Sequence, residues 1–373
     1  MNTSPYPPIP LAHAGAVLSV DLDAIRTNFR ELVLRLGNAE CGAVVKANSY
    51  GMGTEQVAPV LWNAGCREFF VAHIEEGLRL RAILAEARIH ILNGMYQGAE
   101  ETYREHHMIP VIGSLQEAAV WKAFCGENPL PCDLHVDTGM LRLGLSPAEM
   151  TQVTENPDLV AGLDIQNVIS HLASADEAGS PQNAQQLAAY RRVREIIPQG
   201  RASFCNSSGI FLGSEFHHDL VRPGFALYGG NPTPGKDNPM NGVITLKARI
   251  VQVRDADVPE TVGYGATHAL KGRSRVATVP VGYADGLLRS LSSKTCGYIG
   301  EHRVPLIGRV SMDLITFDVT DVPEQDCAPG KWIEMIGPKH SIDDLARDGD
   351  TIGYEILTSL GRRYHRIYTG GAK

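Results

Sequence analysis

The sequence has no run approaching about 20 apolar residues, so it offers no helix to span a bilayer. It has no excess of positive charge. Its net charge of −8 removes the electrostatic support that nucleic-acid binding needs. It has no CxxC, and Cys41, Cys66, Cys125, Cys132, Cys205, Cys296 and Cys327 are scattered. Such an odd, unpatterned set reads as the reduced thiols of a cytoplasmic protein. HExxH and every other metal-ligand spacing are missing, so no metal is expected. GxGxxG and GxxxxGK[ST] are absent too, which removes the usual dinucleotide and P-loop readings, and no GxSxG elbow suggests a serine hydrolase. The opening MNTSPYPPIPLAHAG lacks the basic start and apolar core of a signal peptide, and residues 1–15 are expected to form a flexible arm.

What is present is a globular composition, 43% hydrophobic and 20% charged, in 373 residues. That length accommodates two domains and a core large enough to need no disulfide. Asp21 opens an amphipathic stretch with Leu22, Ile25, Phe29, Leu32, Val33 and Leu36 at helical spacing, stopped by Gly37. Eight strand-like runs follow, at 43–45, 69–71, 89–92, 108–112, 134–136, 165–169, 202–205 and 220–221. Helical patterns at 74–87, 114–124 and 182–197 separate several of them. This rhythm predicts an N-terminal TIM (β/α)8 barrel over residues 16–241, with a doubly wound sheet as the alternative. Beyond Gly242 the texture changes to strands punctuated by Gly, Pro and Asp, predicting a mostly-β domain over 242–373.

Lys46 directly follows Ala43-Val44-Val45, which places it at the C-terminal mouth of the first barrel strand, where barrels carry catalytic groups. A partly desolvated amine there suits a Schiff-base lysine; a surface lysine in a βα loop is the other reading. Asn206-Ser207-Ser208-Gly209 and Arg222-Pro223-Gly224 follow the seventh and eighth strands, where hydroxyls and backbone N–H groups can bind phosphate. Ordinary turn chemistry uses the same residues. His171 ends the sixth run and reads by itself as structural. Tyr264, between Gly263 and Gly265, is either presented on a turn or packed in a hairpin.

Taken together, AVVKANSYGMG (43–53), HVDTGMLRLGL (135–145), SHLASAD (170–176), CNSSGIF (205–211), VRPGFALYGG (221–230), VGYGATHAL (262–270), PVGYADG (280–286) and GRVSMDLITFDVT (308–320) resemble the alanine racemases. These enzymes use pyridoxal 5′-phosphate (PLP) on a barrel with a β domain. The resemblance covers nearly the whole chain. It implies interconversion of L- and D-alanine, supplying D-alanine for peptidoglycan or serving alanine catabolism. It implies Lys46 as the PLP lysine, and Tyr50, Ser207 and the backbone N–H groups of Gly224 and Phe225 as phosphate contacts. Arg222 would face the pyridine nitrogen, and His171 would link it to the second base, Tyr264. Arg142 would approach the PLP 3′-oxygen and the substrate carboxylate, to which Met312 would offer its N–H. Tyr264 and Met312 would come from the other subunit, making a homodimer with shared active sites.

The chemistry explains these residue types. Racemisation takes a proton from one face of the α-carbon and returns one to the other, here by Lys46 on the D side and Tyr264 on the L side. A neutral tyrosine titrates near ~10 and needs cationic neighbours to act as a base, which His171 with Arg222 behind it would supply. Two positions depart from the family pattern. His135 stands where a carbamylated lysine commonly props the arginine, and Arg362 stands where many members have a phosphate-binding tyrosine. His135 is therefore expected to be neutral, accepting a hydrogen bond or sharing an anion with Arg142, unless other residues orient Arg142. A broader-specificity amino-acid racemase, another barrel-type PLP enzyme such as a decarboxylase, and a PLP-carrying binding protein are the alternatives; Tyr264 in GYG and Met312 in SMD favour the racemase.

Overall fold

The computed structural model of the chain describes residues 10–371. They form two units, one running from Ala24 to Asn241 and the other combining the residues up to Asp23 with those from Gly242 on.

In the first unit, seven parallel strands follow one another in chain order: Ala43–Val44, Glu68–Val71, Arg88–Ile91, Met108–Ile112, Pro131–His135, Asp164–Ile169 and Arg201–Ser203. The eighth run, Leu220–Val221, closes the ring. It pairs in parallel with Glu40–Cys41, which continues into Ala43–Val44 across Gly42. On its other side, Asp219 N–H donates to Ala202 O (3.0 Å) and Arg222 N–H to Cys205 O (2.9 Å). Closure leaves no free sheet edge, as a TIM barrel requires. Helices alternate with the strands for reasons visible locally. Ser114 caps Leu115–Cys125 by accepting from Glu117 N–H (3.1 Å), and Ser146 with Glu149 forms a reciprocal capping box on Pro147–Glu155. The helical patterns at 74–87 and 182–197 become Ile74–Ile83 and Pro181–Ile196.

The second unit is built on a nine-stranded sheet. Its strands run in the order Gln252–Ala256, Ser274–Val279, Ile315–Asp318, His302–Ile307, Cys296–Ile299, Trp332–Ile336, Ile244–Arg249, Ala16–Asp21 and His365–Thr369. One assignment changes here. Residues 16–21 fell within the expected bounds of the barrel domain with no strand expected there; Ala16–Asp21 is a strand, and it pairs antiparallel with Ile244–Arg249 and parallel with His365–Thr369. Ala16, Val17, Leu18 and Val20 are all buried, which an interior strand flanked by two partners provides. Of the expected arm, residues 1–9 lie outside the described residues; Leu11–His13 form a 3-10 turn and Ala14 is buried.

The barrel interior carries an ionic layer in place of branched apolar side chains. His90 is fully buried with both ring nitrogens bonded, Nδ1 to Asp133 Oδ2 and Nε2 to Glu68 Oε2, each at 2.6 Å. Asn167 donates to Asp133 Oδ1 (2.7 Å), and Arg201 donates to Glu68 Oε1 (2.7 Å) and Asn167 Oδ1 (3.1 Å). Arg88 Nε lies 2.9 Å from the same Glu68 oxygen. Burial opposes charge on His90, but the charges and hydrogen bonds of Asp133 and Glu68 prevail and raise its pKa above 6.5, so it is an imidazolium. Burial likewise acts to raise the Glu68 carboxyl, yet His90, Arg88 and Arg201 bring it down to about 2.

These shifts set a pH window for stability. Glu68 stabilises the fold fully above its ordinary value of 4.5 and loses that contribution as pH falls towards 2. His90 contributes fully below 6.5 and loses its contribution as pH rises through its elevated folded value. His90→Gln should therefore cost most between pH 4.5 and 6.5, about 3–5 kcal/mol, because it strands two buried carboxylates. Urea unfolding of both proteins at pH 5.5 and at strongly alkaline pH checks this; a deficit that grows in alkali contradicts it.

Candidate active site

The mouth of the barrel is organised by the turn after Lys46. Ala47, Asn48, Ser49 and Tyr50 all have positive φ, between 52° and 56°, and make one left-handed turn without a glycine. Each such residue costs about 1–2 kcal/mol, so the surroundings must hold the turn. Ala47 N–H donates to Glu76 Oε1 (2.6 Å), Ser49 N–H to Val45 O (2.9 Å), and Thr54 N–H to Asn48 Oδ1 (3.0 Å). The other Glu76 oxygen accepts from Ala72 N–H (2.8 Å) and His73 N–H (3.1 Å), which fixes the carboxylate. Lys46 stands half-buried at the start of this turn. Burial lowers its amine pKa, Arg142 lowers it further, and Glu76 pulls the other way.

The turn carries Tyr50 back against Tyr228, with ring centroids 4.8 Å apart, and sets its hydroxyl beside Gly224. A Cβ on Gly224 would lie 2.4 Å from Tyr50 Oη, so a side chain there would displace the Tyr50 ring. Ser207 is buried against the same backbone, and its Oγ accepts from Gly224 N–H (3.0 Å) and Ala226 N–H (3.2 Å). A hydroxyl that accepts twice still has its own proton to donate. The hydroxyls of Ser207 and Tyr50 thus cluster with the Gly224 and Ala226 N–H groups, without a basic side chain, a small cradle that suits a phosphate monoester once the N–H groups turn from Ser207 to it. Ala226 is a donor that the sequence reading did not single out.

Behind this cradle sits Arg222, buried, with Nη1 donating to Ser203 Oγ and Nη2 to Ser170 O, both at 2.6 Å. Burial brings its guanidinium down to about 10, still charged near neutrality. His171 is pushed well below its ordinary value, by burial first and then by Arg222, Arg142, His135 and Lys46. It is therefore neutral, and the cationic neighbour expected for a tyrosine base reduces to Arg222. No hydrogen bond joins His171 to Arg222 among the described residues; they interact through space. His135 is lowered to about 4 by burial, Arg222 and Arg142 against the pull of Asp137, so it too is neutral.

Arg142 is exposed, on a loop fixed from its backbone. Asp137 accepts N–H bonds from Gly139 (2.9 Å), Met140 (2.8 Å) and Leu141 (3.0 Å), and Asp137 N–H donates to Leu145 O (3.0 Å). Asp137, absent from the sequence-based candidates, shapes the backbone of the segment that carries Arg142.

Tyr264 and Met312 belong to the other unit. Tyr264 is 72% exposed on a 3-10 turn between the paired strands Thr261–Val262 and His268–Ala269, which argues against a packed hairpin tyrosine. Gly263 and Gly265 flank it at φ 76° and 73°, and a Cβ on Gly265 would also press on Arg309 Nη1 at 3.0 Å. The Met312 loop is tied down by Tyr283 N–H to Ser311 O (3.0 Å) and Ala284 N–H to Met312 O (3.1 Å). Arg363 bridges Asp285 (2.9 Å) and Asp313 (2.7 Å) beside it. Met312 N–H has no protein partner among the described residues. No group of three or more His, Cys, Asp or Glu side chains fit to hold a metal occurs among the described residues.

Comparison with known proteins agrees along the length of the chain. Residues 20–232 match the family model "Alanine racemase, N-terminal domain", and residues 243–368 match "Alanine racemase, C-terminal domain". The alanine racemase of Rhodospirillum rubrum is 49% identical over 361 residues, 96% of each chain. That of Rhizobium meliloti is 47% identical over 371 residues, covering 96% of this chain and 98% of the relative. Among solved structures, alanine racemase from Bartonella henselae with covalently bound pyridoxal phosphate superposes with a TM-score of 0.92 at 42% identity, over 95% of this chain and 100% of that one. The biosynthetic alanine racemase of Pseudomonas aeruginosa gives 0.89 at 33% identity, over 96% and 100%. The chain thus belongs to the alanine racemase family.

Proposed function

We propose that this racemase interconverts L- and D-alanine with Lys46 and Tyr264 as opposite-face bases on bound PLP, in a homodimer whose sites are shared. The observation that carries the reading is Lys46, with its lowered amine pKa, at the head of a turn that ends in the cradle of Tyr50, Ser207, Gly224 and Ala226. Lys46 would hold the cofactor through its amine. The cradle would take the phosphate, with the Phe225 N–H beside it. PLP, when bound, supplies an electron sink that acidifies the α-hydrogen of the substrate.

The chain's own residues do the rest. The Lys46 amine, desolvated and close to Arg142, releases its proton more readily than an exposed lysine and can exchange it with the α-carbon on the D face. Tyr264 Oη exchanges the proton of the L face, reaching in from the partner subunit. Arg222, charged and locked by Ser203 and Ser170, would face the pyridine nitrogen of the bound cofactor, disfavour a proton there and so restrain side reactions. Arg142 and Met312 N–H hold the substrate carboxylate. Neutral His135 and His171 fill the space between cations without adding charge. All seven cysteines are free and six are buried, which supports a reducing, cytoplasmic setting. No helix among the described residues is long and apolar enough to cross a membrane.

Borohydride reduction of the holoenzyme, followed by peptide mapping, should place the pyridoxyl group on Lys46 and abolish racemisation; a label on another lysine removes Lys46 from the mechanism. The same preparation assayed across amino acids separates an alanine enzyme from a broader racemase.

Shared sites predict complementation. Lys46→Ala and Tyr264→Phe homodimers should each be nearly inactive, and exchanging their subunits should restore about one intact site per heterodimer. No recovery after demonstrated exchange would mean that each chain builds its own site.

A neutral His135 has no amine to carbamylate, and the Arg142 loop is already fixed by Asp137. Turnover should be the same in buffer stripped of carbon dioxide, with or without added bicarbonate or chloride. Loss on stripping with rescue by bicarbonate would reveal a carbamate elsewhere, and rescue by chloride would reveal a bridging anion.

A further inference from the structure

The helix Pro181–Ile196 buries Asn183, Gln186, Leu187, Tyr190 and Val193, a face that is polar in its first turns and mostly apolar beyond. A buried amide is costly unless it is hydrogen-bonded, and Gln186, 1% exposed, commits both ends of its own. Its Oε1 accepts from Ala173 N–H (2.9 Å), and its Nε2 donates to His171 O (2.9 Å) and Thr138 Oγ1 (3.2 Å). A backbone N–H only donates and a carbonyl only accepts, so these partners fix which way the amide points. Thr138, accepting from Gln186, has its own proton for Ser170 Oγ (2.7 Å). One turn earlier, Gln182 makes a parallel tie, accepting from Ser174 Oγ (2.6 Å) and donating to Gly139 O (2.9 Å).

These bonds join two loops of the barrel mouth. Residues 137–142 follow the strand Pro131–His135 and carry Arg142, and residues 170–174 follow Asp164–Ile169 and carry His171. The side-chain bonds of Asp137 all run to its own turn, so they give the Arg142 segment its shape. Its place against the next loop is set beyond the last ladder bond, Val136 N–H to Ile169 O (2.8 Å), by the bonds of Gln186, Gln182 and Thr138. On the other side of the same loop, Ser170 O accepts from Arg222 Nη2 (2.6 Å), one carbonyl before the one that Gln186 holds. The segments of Arg142 and His171 and the acceptor of Arg222 therefore share one buried amide as their reference point.

We propose that Gln186 is a positioning residue for the reaction: its amide registers the Arg142 turn against the Ser170–His171 loop and so sets where the substrate carboxylate is held. The effect on substrate rests on the reading of Arg142 as the partner of that carboxylate; the tie between the loops does not.

Holoenzyme variants test this through KM, kcat and amide exchange. Arg142 would hold the carboxylate in the ground state and the transition state alike, so misplacing it raises KM and spares kcat. Gln186→Leu should raise KM for L- and D-alanine together by about fivefold, with kcat within about twofold, and should speed hydrogen exchange at the Ala173 amide. Gln186→Glu keeps the size and the acceptor but has no proton for His171 O or Thr138, and should raise KM at least as much. Leu187→Ala loosens the same helix while leaving every one of these hydrogen bonds in place; it should lower the urea midpoint with a native KM. A native KM in both Gln186 variants, or an equal rise in Leu187→Ala, overturns the proposal. Should the Gln186 variants not fold, Thr138→Val, which removes one hydroxyl of the tie, decides: a native KM there overturns it. Arg142→Gln with a native KM would overturn the carboxylate role of Arg142, and the tie is then judged by exchange alone, where a native Ala173 rate in Gln186→Leu overturns it.

Discussion

The barrel mouth depends on the left-handed turn between Lys46 and Gly51. An ordinary helical turn would send Tyr50 in another direction, and its stack on Tyr228 and its approach to Gly224 would both be lost. The turn is made of residues that disfavour it, and Glu76, Val45 and Thr54 help to hold it from three sides. One strained segment thereby fixes the distance between an amine and an anion cradle, the two features that a phosphorylated aldehyde would require together.

Charge is distributed with similar economy. Lys46, Arg142 and Arg222 gather around one space, and the two histidines among them are neutral because a further positive charge there is too costly. Two strand positions lower, a histidine is charged because carboxylates bracket it. The same side chain takes opposite protonation states within one barrel, and the nearest fixed charges decide which.

Much of this was legible in the sequence where local pattern carries the information. The eight strand runs are all strands, since short β-branched segments between turn residues leave few alternatives. Lys46 and the segments 206–209 and 222–224 drew notice because they follow such runs, but the roles expected of Ser207 and Arg222 came from the family resemblance and not from position alone. Ala16–Asp21 was misplaced because its partners are strands more than 200 residues away, and alternation within six residues does not name a partner. The left-handed turn was invisible because KANSY has no glycine to announce it. The ionic layer left a signal that went unread. Glu68, His90, Asp133 and Arg201 are polar residues inside or opening short barrel strands, where apolar ones are usual. Their pairing spans up to 133 residues of chain and emerges only from closure of the barrel.

The pairing of Ala16–Asp21 with both Ile244–Arg249 and His365–Thr369 has a consequence for how the protein is made. The barrel sequence is a complete insertion between the two pieces of the β unit, so its own folding need not wait for them. The apolar strand at the start does wait. At ~5–20 residues per second of synthesis, its last partner leaves the ribosome roughly 20–70 seconds after it does. During that interval AVLSV is an open β edge tethered to a growing chain, the kind of segment that chaperones bind.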